Sequence, residues 1–353
     1  MTITKVWRVY EGNDVQRRDK LADAAKLLSN GGLVAFPTET VYGLGADARS
    51  TAAVERIFTA KGRPSDNPLI VHIADRRQLE DWVLSYPELA GKLMDRFWPG
   101  PLTIVLPVRP NTLSPLVTAG LNTVGVRMPD HRTALELLAL AGCPVAAPSA
   151  NRSGRPSPTE AAHVLEDLDG RMDGIIDDGP TGVGLESTVI ELIGEEGIRI
   201  LRPGGVTQEA LQQAAPNALI DSVSIEAPEA APRSPGMKYT HYAPQGELEL
   251  VQGEPEDVVR YIEAQTEAAR QRSQVTGVLA FEERLPAYSA DKVLSLGSEL
   301  APEAAAQRLY AALRDFDSAG AQRIWAECCS EKGIGAALMN RMAKAAGNRI
   351  VRV

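Results

Sequence analysis

Apolar residues along the chain fall into two rhythms. In residues 19–29, DKLADAAKLLS, Leu21, Ala24, Ala25 and Leu28 recur at helical spacing, and Gly31-Gly32 ends the predicted helix before the apolar run 33–36. Short runs of strand length follow at 69–73, 102–106, 123–126, 145–147, 174–176 and 188–192, with helical segments such as 52–60 and 132–140 between them. This alternation predicts an α/β layer structure. The close spacing of the runs across 102–126 leaves room for antiparallel neighbours, so a mixed sheet is expected. Between 221 and 245 the periodicity lapses into a proline-rich stretch (Pro228, Pro232, Pro235, Pro244) that reads as a linker. The pattern then restarts: strand-like 248–251, helical 255–270, strand-like 277–281 and 292–296, helical 302–318, strand-like 323–328 and helical 335–346. The expected division is a domain over 1–220, a linker over 221–246 and a smaller α/β domain over 247–353.

Composition narrows the class. A chain of 353 residues, 44% hydrophobic and 24% charged, suffices for two globular cores. Lys and Arg number 37 against 46 Asp and Glu, a net charge of −9, so the molecule as a whole repels phosphate backbones and anionic lipid unless cations are gathered locally. Three cysteines, two of them adjacent (Cys328, Cys329), suit neither a disulfide framework nor a C-x-x-C knuckle, and point to a reducing cytoplasm. The most apolar stretch, 134–148, is broken by Glu136, Gly142 and Pro144, short of the roughly 18–20 residues a membrane helix needs. A soluble cytoplasmic protein is expected, without a membrane partner.

Generic nucleotide and catalytic motifs give little. There is no P-loop and no G-x-S-x-G elbow, and the four histidines (His72, His131, His163, His241) lack zinc spacing. Residues 43–48, GLGADA, satisfy a loose G-x-G-x-x-A, but Pro37-Thr38-Glu39-Thr40 separates them from the preceding strand. More telling are polar segments at the ends of apolar runs: PTETVYGLG, KGRPSDNPLIVHI, VGVRMPDH, APSANRSGRPSPT, LESTVI and LRPGG. They supply the cations Lys61, Arg63, Arg127, Arg155 and Arg202 with the hydroxyls and amide of Thr40, Ser149, Asn151, Thr159 and Ser187, a set suited to carboxylates and phosphates. Any one alone is more often a solvated cation or a turn residue. Six segments of the same chemistry, in an α/β sheet whose strand-end loops gather into one cleft, argue for a site.

In order and spacing these segments resemble the YrdC family, and with the motif SPGMKYTHYAP and the second domain they resemble its two-domain L-threonylcarbamoyladenylate synthases. The combination K-x-R…S-x-N, here Lys61, Arg63, Ser149 and Asn151, is the family signature, and the core resemblance runs from about residue 31 to 205. It implies a YrdC-like open twisted mixed sheet followed by a Rossmann-like α/β domain. It also implies a nucleotidyltransferase that makes threonylcarbamoyl-AMP and pyrophosphate from L-threonine, bicarbonate and ATP. A separate transferase would carry the product to tRNA (t6A beside the anticodon), which makes the link to tRNA indirect. By matching positions, Thr40, His72, Arg127, Ser149 and Ser187 are implied as threonine contacts. Lys61, Arg63, Asn67, Thr123, Asn151, Thr159, Arg202 and Tyr242 are implied as ATP contacts, Lys61 and Arg63 as the catalytic cations at the phosphates, and 221–246 as a lid. Mg²⁺ is implied by ATP chemistry with no protein ligand assigned.

A rival reading is a double-stranded RNA-binding module of the same fold. Within residues 320–353, Arg323, Lys332, Arg341, Lys344, Arg349 and Arg352 against Glu327 and Glu331 give 6 − 2 = +4, either a tRNA-facing patch or the solvated face of a terminal helix. A second rival, a carbamoyl-transferring maturation factor, shares the K-x-R…S-x-N chemistry but adds acylphosphatase and zinc-finger segments that this sequence lacks.

Overall fold

The computed structural model describes residues 3–222 and 241–353, in two compact units: one of residues 3–153 and 157–222, the other of residues 154–156 and 241–353. The first unit opens with β1 (Lys5–Arg8), α1 (Asp14–Ser29), β2 (Val34–Phe36) and β3 (Gly43–Asp47). Helix and strand then alternate through α2 (Thr51–Lys61), β4 (Ile70–His72), α3 (Glu88–Phe97), β5 (Leu102–Pro107), α4 (Pro115–Thr118), β6 (Thr123–Arg127), α5 (Arg132–Ala141) and β7 (Val145–Ala146). It closes with α6 (Ala161–Leu168), β8 (Gly174–Asp177), the hairpin β9 (Thr188–Ile193) and β10 (Gly197–Arg202), α7 (Gln208–Ala214) and β11 (Leu219–Ser222). Among the described residues these strands make one sheet in the order β1-β8-β2-β3-β7-β4-β6-β5-β9-β10-β11, with parallel and antiparallel neighbours, the mixed sheet that the spacing predicted.

Two departures from the pattern have local causes. Helix α1 begins at Asp14 rather than 19, because Asn13 and Gln16 form a capping box while Val15 is exposed, so the first turns carry no apolar face to read. The segment GLGADA is no phosphate loop but the buried strand β3, antiparallel to β2 and β7. A Cβ at Gly45 would lie 2.8 Å from the side chains of Phe36 and Val145, so that glycine serves close sheet packing. One apolar cluster sets Leu21 and Leu28 of α1 and Leu137 of α5 against Trp7, Phe36 and Val145, and a larger one gathers α2, α3 and the centre of the sheet. A small third cluster, Ile70, Val105, Val189 and Leu201, lies apart from both.

The second unit runs β12 (Glu247–Gln252), α8 (Pro255–Arg270), β13 (Thr276–Ala280), β14 (Lys292–Ser295), α9 (Pro302–Ser318), β15 (Arg323–Glu327), α10 (Gly335–Ala345) and β16 (Ile350–Arg352). Its strands pair in the order β14-β13-β15-β12-β16, all parallel. Two members of the charge count over 320–353 are not at the surface: Arg341 is fully buried, its guanidinium 5.7 Å from the centroid of the Tyr242 ring, and Glu327 is buried too, so the net of the remaining residues is still 5 − 1 = +4. Helix α10 turns that arginine inward, which removes it from both readings of the +4 stretch.

Candidate active site

Helix geometry fixes the first part of the site. Lys61 is the last residue of α2 and is buried; Gly62 ends the helix at φ 61°, a left-handed conformation that glycine adopts without penalty. The Lys61 Nζ donates to the carbonyl oxygens of Ser149 and Asn151, both at 2.5 Å, and Ser149 Oγ donates to Asn151 Oδ1 at 2.6 Å. The ammonium therefore pins the S-x-N turn. That turn is also tied to the β2–β3 connection, since Ala150 N donates to Tyr42 O and Leu44 N to Pro148 O, each at 2.8 Å. Arg63 follows in the same loop as Lys61 and donates to the carbonyls of Asn67 (3.3 Å) and Pro68 (3.1 Å). Asn67 is buried at 1% exposure, and neither end of its side-chain amide meets a hydrogen-bonding partner among the described residues. An unsatisfied buried amide is unfavourable by a few kcal/mol (~1–3) unless a ligand completes it.

The second part lies on one face of the sheet. Residues alternate faces along a strand, so Thr123, Gly125 and Arg127 of β6 point the same way, and the register aligns Ile70 with Gly125 and His72 with Arg127. Val105 sits opposite Gly125, so Ile70 and Val105 of the small apolar cluster floor this face. Arg127 is almost wholly buried, and its guanidinium donates to Thr40 Oγ1 (2.9 Å), to the carbonyl of Gly100 (3.3 Å) and to Glu39 Oε2 in an ion pair. Burial, with the Arg127 charge beside it, pushes the pKa of His72 down to about 3, so this imidazole is neutral at physiological pH. Thr40 Oγ1 also meets Thr38 Oγ1 at 2.8 Å, and its carbonyl accepts from Gly184 N at 3.1 Å.

A third group surrounds Ser187 and Thr159. Ser187, just before β9, shares a hydrogen bond with Thr103 (Oγ to Oγ1, 2.7 Å), and Arg202 Nη2 donates to the Ser187 carbonyl (3.0 Å) and hydroxyl (3.2 Å). Thr159 is buried, its carbonyl accepting from Thr181 N at 3.0 Å. The first unit thus brings together Thr40, His72 and Arg127, ties Lys61 to Ser149 and Asn151, and ties Ser187 to Arg202. Thr123 opens β6, about 13 Å along the strand from Arg127 at ~3.3 Å per residue, on the same face. Arg155, read from the sequence as a possible anion ligand, pairs instead with Asp317 at 3.6 Å in the second unit. Tyr242 also belongs to the second unit, buried beside Tyr310 with ring centroids 5.3 Å apart. Most of the lid expected at 221–246 lies outside the described residues.

Sequence reasoning passed over one residue of this constellation, Glu39. Its signal was a lone carboxylate inside PTETVYGLG, between two threonines at the end of a buried strand. The three thiols are not activated: burial pushes those of Cys143, Cys328 and Cys329 up to about 12, 11 and 12. Among the described residues no group of three or more His, Cys, Asp or Glu could hold a metal ion. No helix among them is long and apolar enough to cross a membrane.

Known proteins resemble the chain that carries this site. Residues 26–204 match the Sua5/YciO/YrdC family model, which is described as telomere recombination, and residues 206–347 match that of the threonylcarbamoyl-AMP synthase C-terminal domain. The chain belongs to the Sua5/YciO/YrdC family. Among relatives of this family, the threonylcarbamoyl-AMP synthase of Bacillus subtilis is 51% identical, covering 99% of both chains. That of Pyrococcus abyssi is 47% identical over 95% of this chain and 96% of its own. The fold matches the crystal structure of P. abyssi Sua5 complexed with L-threonine with a TM-score of 0.91 and 45% identity, over the whole of both chains.

Proposed function

We infer that the chain is a threonylcarbamoyl-AMP synthase, a nucleotidyltransferase serving tRNA t6A synthesis. The observation that supports this most strongly is the neighbourhood of two anion sites on one scaffold. The Arg127 corner, with Thr40 and the neutral His72, suits an amino-acid carboxylate, and the Lys61 turn suits phosphates. In this reading Thr40, His72, Arg127, Ser149 and Ser187 hold L-threonine. Lys61, Arg63, Asn67, Thr123, Asn151, Thr159, Arg202 and Tyr242 hold ATP, with the orphaned amide of Asn67 completed by the nucleotide.

The chemistry asks for positioning rather than for a protein nucleophile. Threonine's amine and bicarbonate form a carbamate, whose oxygen attacks the α-phosphorus of ATP in line with departing pyrophosphate. Lys61 and Arg63 neutralise the charge that builds on the phosphates. Mg²⁺ travels with ATP as part of the nucleotide substrate. The proposed division is a catalytic domain over 1–220, a lid over 221–246 and a C-terminal domain over 247–353. The enzyme would work in the cytoplasm and hand its product to a separate transferase, meeting tRNA only indirectly. The test is product identity: purified chain given ATP, L-threonine and labelled bicarbonate should yield a labelled adenylate that mass spectrometry reads as threonylcarbamoyl-AMP. Absence of that species in a folded, ATP-binding preparation would refute the reading.

A further inference from the structure

The reaction has an unassigned requirement. At neutral pH the α-amino group of threonine arrives protonated, and only the neutral amine has the lone pair that attacks bicarbonate. Some group must hold that ammonium and take one of its protons. His72 is a poor candidate, since burial and Arg127 keep its pKa near 3, and burial lowers His131 as well.

Glu39 meets the requirement geometrically. Its Oε2 accepts from Arg127, while Oε1 is shut away from solvent and accepts no hydrogen bond from any described residue. The side chain is only 12% exposed. Its backbone is pinned, with Val183 N donating to Glu39 O at 2.7 Å and Gly184 N to Thr40 O at 3.1 Å, so the carboxylate has little freedom to withdraw. Arg127 on β6 pairs with it, with His72 of β4 beside that arginine, and His131, which follows β6, feels the charge of Glu39 together with those of Asp178, Arg17 and Asp130. A buried carboxylate oxygen without a donor is unfavourable, and the natural completion is a cation brought by the ligand.

An α-amino acid carries an anion and a cation on the same carbon, and the Arg127–Glu39 pair presents their complements side by side. We propose that Glu39 binds the α-ammonium of threonine and accepts its proton, which makes Glu39 a catalytic residue; the proposal rests on the synthase reading above. When threonine's carboxylate takes Arg127, Glu39 exchanges its guanidinium partner for the ammonium. The step balances: the ammonium gives one proton to the Glu39 carboxylate, and the freed amine attacks the carbon of bicarbonate. A C–N bond forms, a C–O bond breaks, and water leaves together with the second amine proton, giving the carbamate and a protonated Glu39.

The test uses the full chain, as wild type, Glu39→Gln and Glu39→Asp, with threonine-dependent pyrophosphate release as the assay. The competing probe is 2,3-dihydroxybutyrate, which keeps threonine's carboxylate and side-chain hydroxyl but carries a hydroxyl in place of the ammonium. In Glu39→Gln the preference for threonine over this hydroxy acid should fall by about tenfold or more, the loss of one charge-assisted contact. Its residual rate should climb with pH more steeply than that of wild type, as solution supplies more neutral amine. Glu39→Asp should keep the preference in part. A folded Glu39→Gln protein with unchanged preference and unchanged pH profile overturns the proposal. If Glu39→Gln fails to fold, Glu39→Asp decides: a raised KM for threonine with an unchanged inhibition constant for the hydroxy acid supports the proposal, and an unchanged ratio overturns it. Wild-type protein that releases no pyrophosphate with threonine would instead defeat the synthase reading.

Discussion

An arginine–glutamate pair in each unit is largely shielded from solvent, Arg127–Glu39 in the first and Arg284–Glu327 in the second, and the two are finished differently. In the second unit Glu327 accepts from Arg284 through both oxygens (Nε 2.8 Å, Nη2 2.9 Å), from the Tyr288 hydroxyl (2.6 Å) and from Phe281 N (2.9 Å). Both of its oxygens are engaged, and the charge next door drives Tyr288 upward in pKa after burial has already raised it. In the first unit Glu39 shares one oxygen with Arg127 and leaves the other without a donor among the described residues. A closed pair of this kind fixes structure, whereas one left open inside a protein marks where a ligand completes the network.

The largest effect should come from the closed pair. Removing one partner of a buried ion pair leaves the other charge uncompensated, so Glu327→Ala should lower unfolding free energy by about 3–5 kcal/mol. In protein that remains folded, KM for threonine should stay at the wild-type value; a stability change under 1 kcal/mol would show that the pair is not structural. Next comes the open pair. Arg127→Ala leaves Glu39 uncompensated and should lower stability as well; in protein that remains folded it should reduce kcat/KM for threonine by about 100-fold, the loss of one to two charge-assisted bonds. Equal turnover by a folded variant would erase the contrast. Lys61→Ala should slow threonine-dependent pyrophosphate release by about tenfold or more, and measuring KM for ATP beside it would show whether the loss falls on binding or on turnover.

The effect that is smallest at neutral pH, and grows only in acid, is that of His72. His72 has its pKa lowered from 6.5 to about 3 by burial and the Arg127 charge, so between those values the unfolded chain binds the proton that the folded chain refuses. Stability therefore declines as pH falls from about 6.5 towards 3, and above 6.5 the group contributes no pH dependence. Urea denaturation of wild type and His72→Gln across that range should show a shallower decline in the variant; parallel curves would mean that His72 is not the buried neutral group described here.

The same contrast explains what could be read from the sequence. In the second unit the helices predicted at 255–270 and 302–318 are found at Pro255–Arg270 and Pro302–Ser318, because long amphipathic helices between fully buried parallel strands announce themselves by period. The short final strand β16 and the short 3-10 turn Glu282–Ala287 escaped. In the first unit the predicted runs at 69–73 and 145–147 contain β4 and β7, whereas β1, β3, β10 and β11 escaped; β3 is glycine-rich, with too few large apolar side chains for a period to register. Its chemistry was nonetheless legible, since Lys61, Ser149, Asn151, Thr40 and Arg127 stand out as polar residues at strand and helix ends. Glu39 was missed because its partner Arg127 is 88 positions away, a pairing that only the register of β4 with β6 and the β2–β3 connection reveals. Arg155 and Arg341 misled for the reverse reason: a charge looks solvated in sequence until packing supplies its partner.

The most direct test of the account is pyrophosphate release by the purified chain given ATP, bicarbonate and each of the common amino acids in turn. Release should depend on bicarbonate and be fastest with L-threonine, with serine slower because a pocket built around one methyl separates the two by only ~1–3 kcal/mol. Release that proceeds equally without an amino acid, or without bicarbonate, would contradict it.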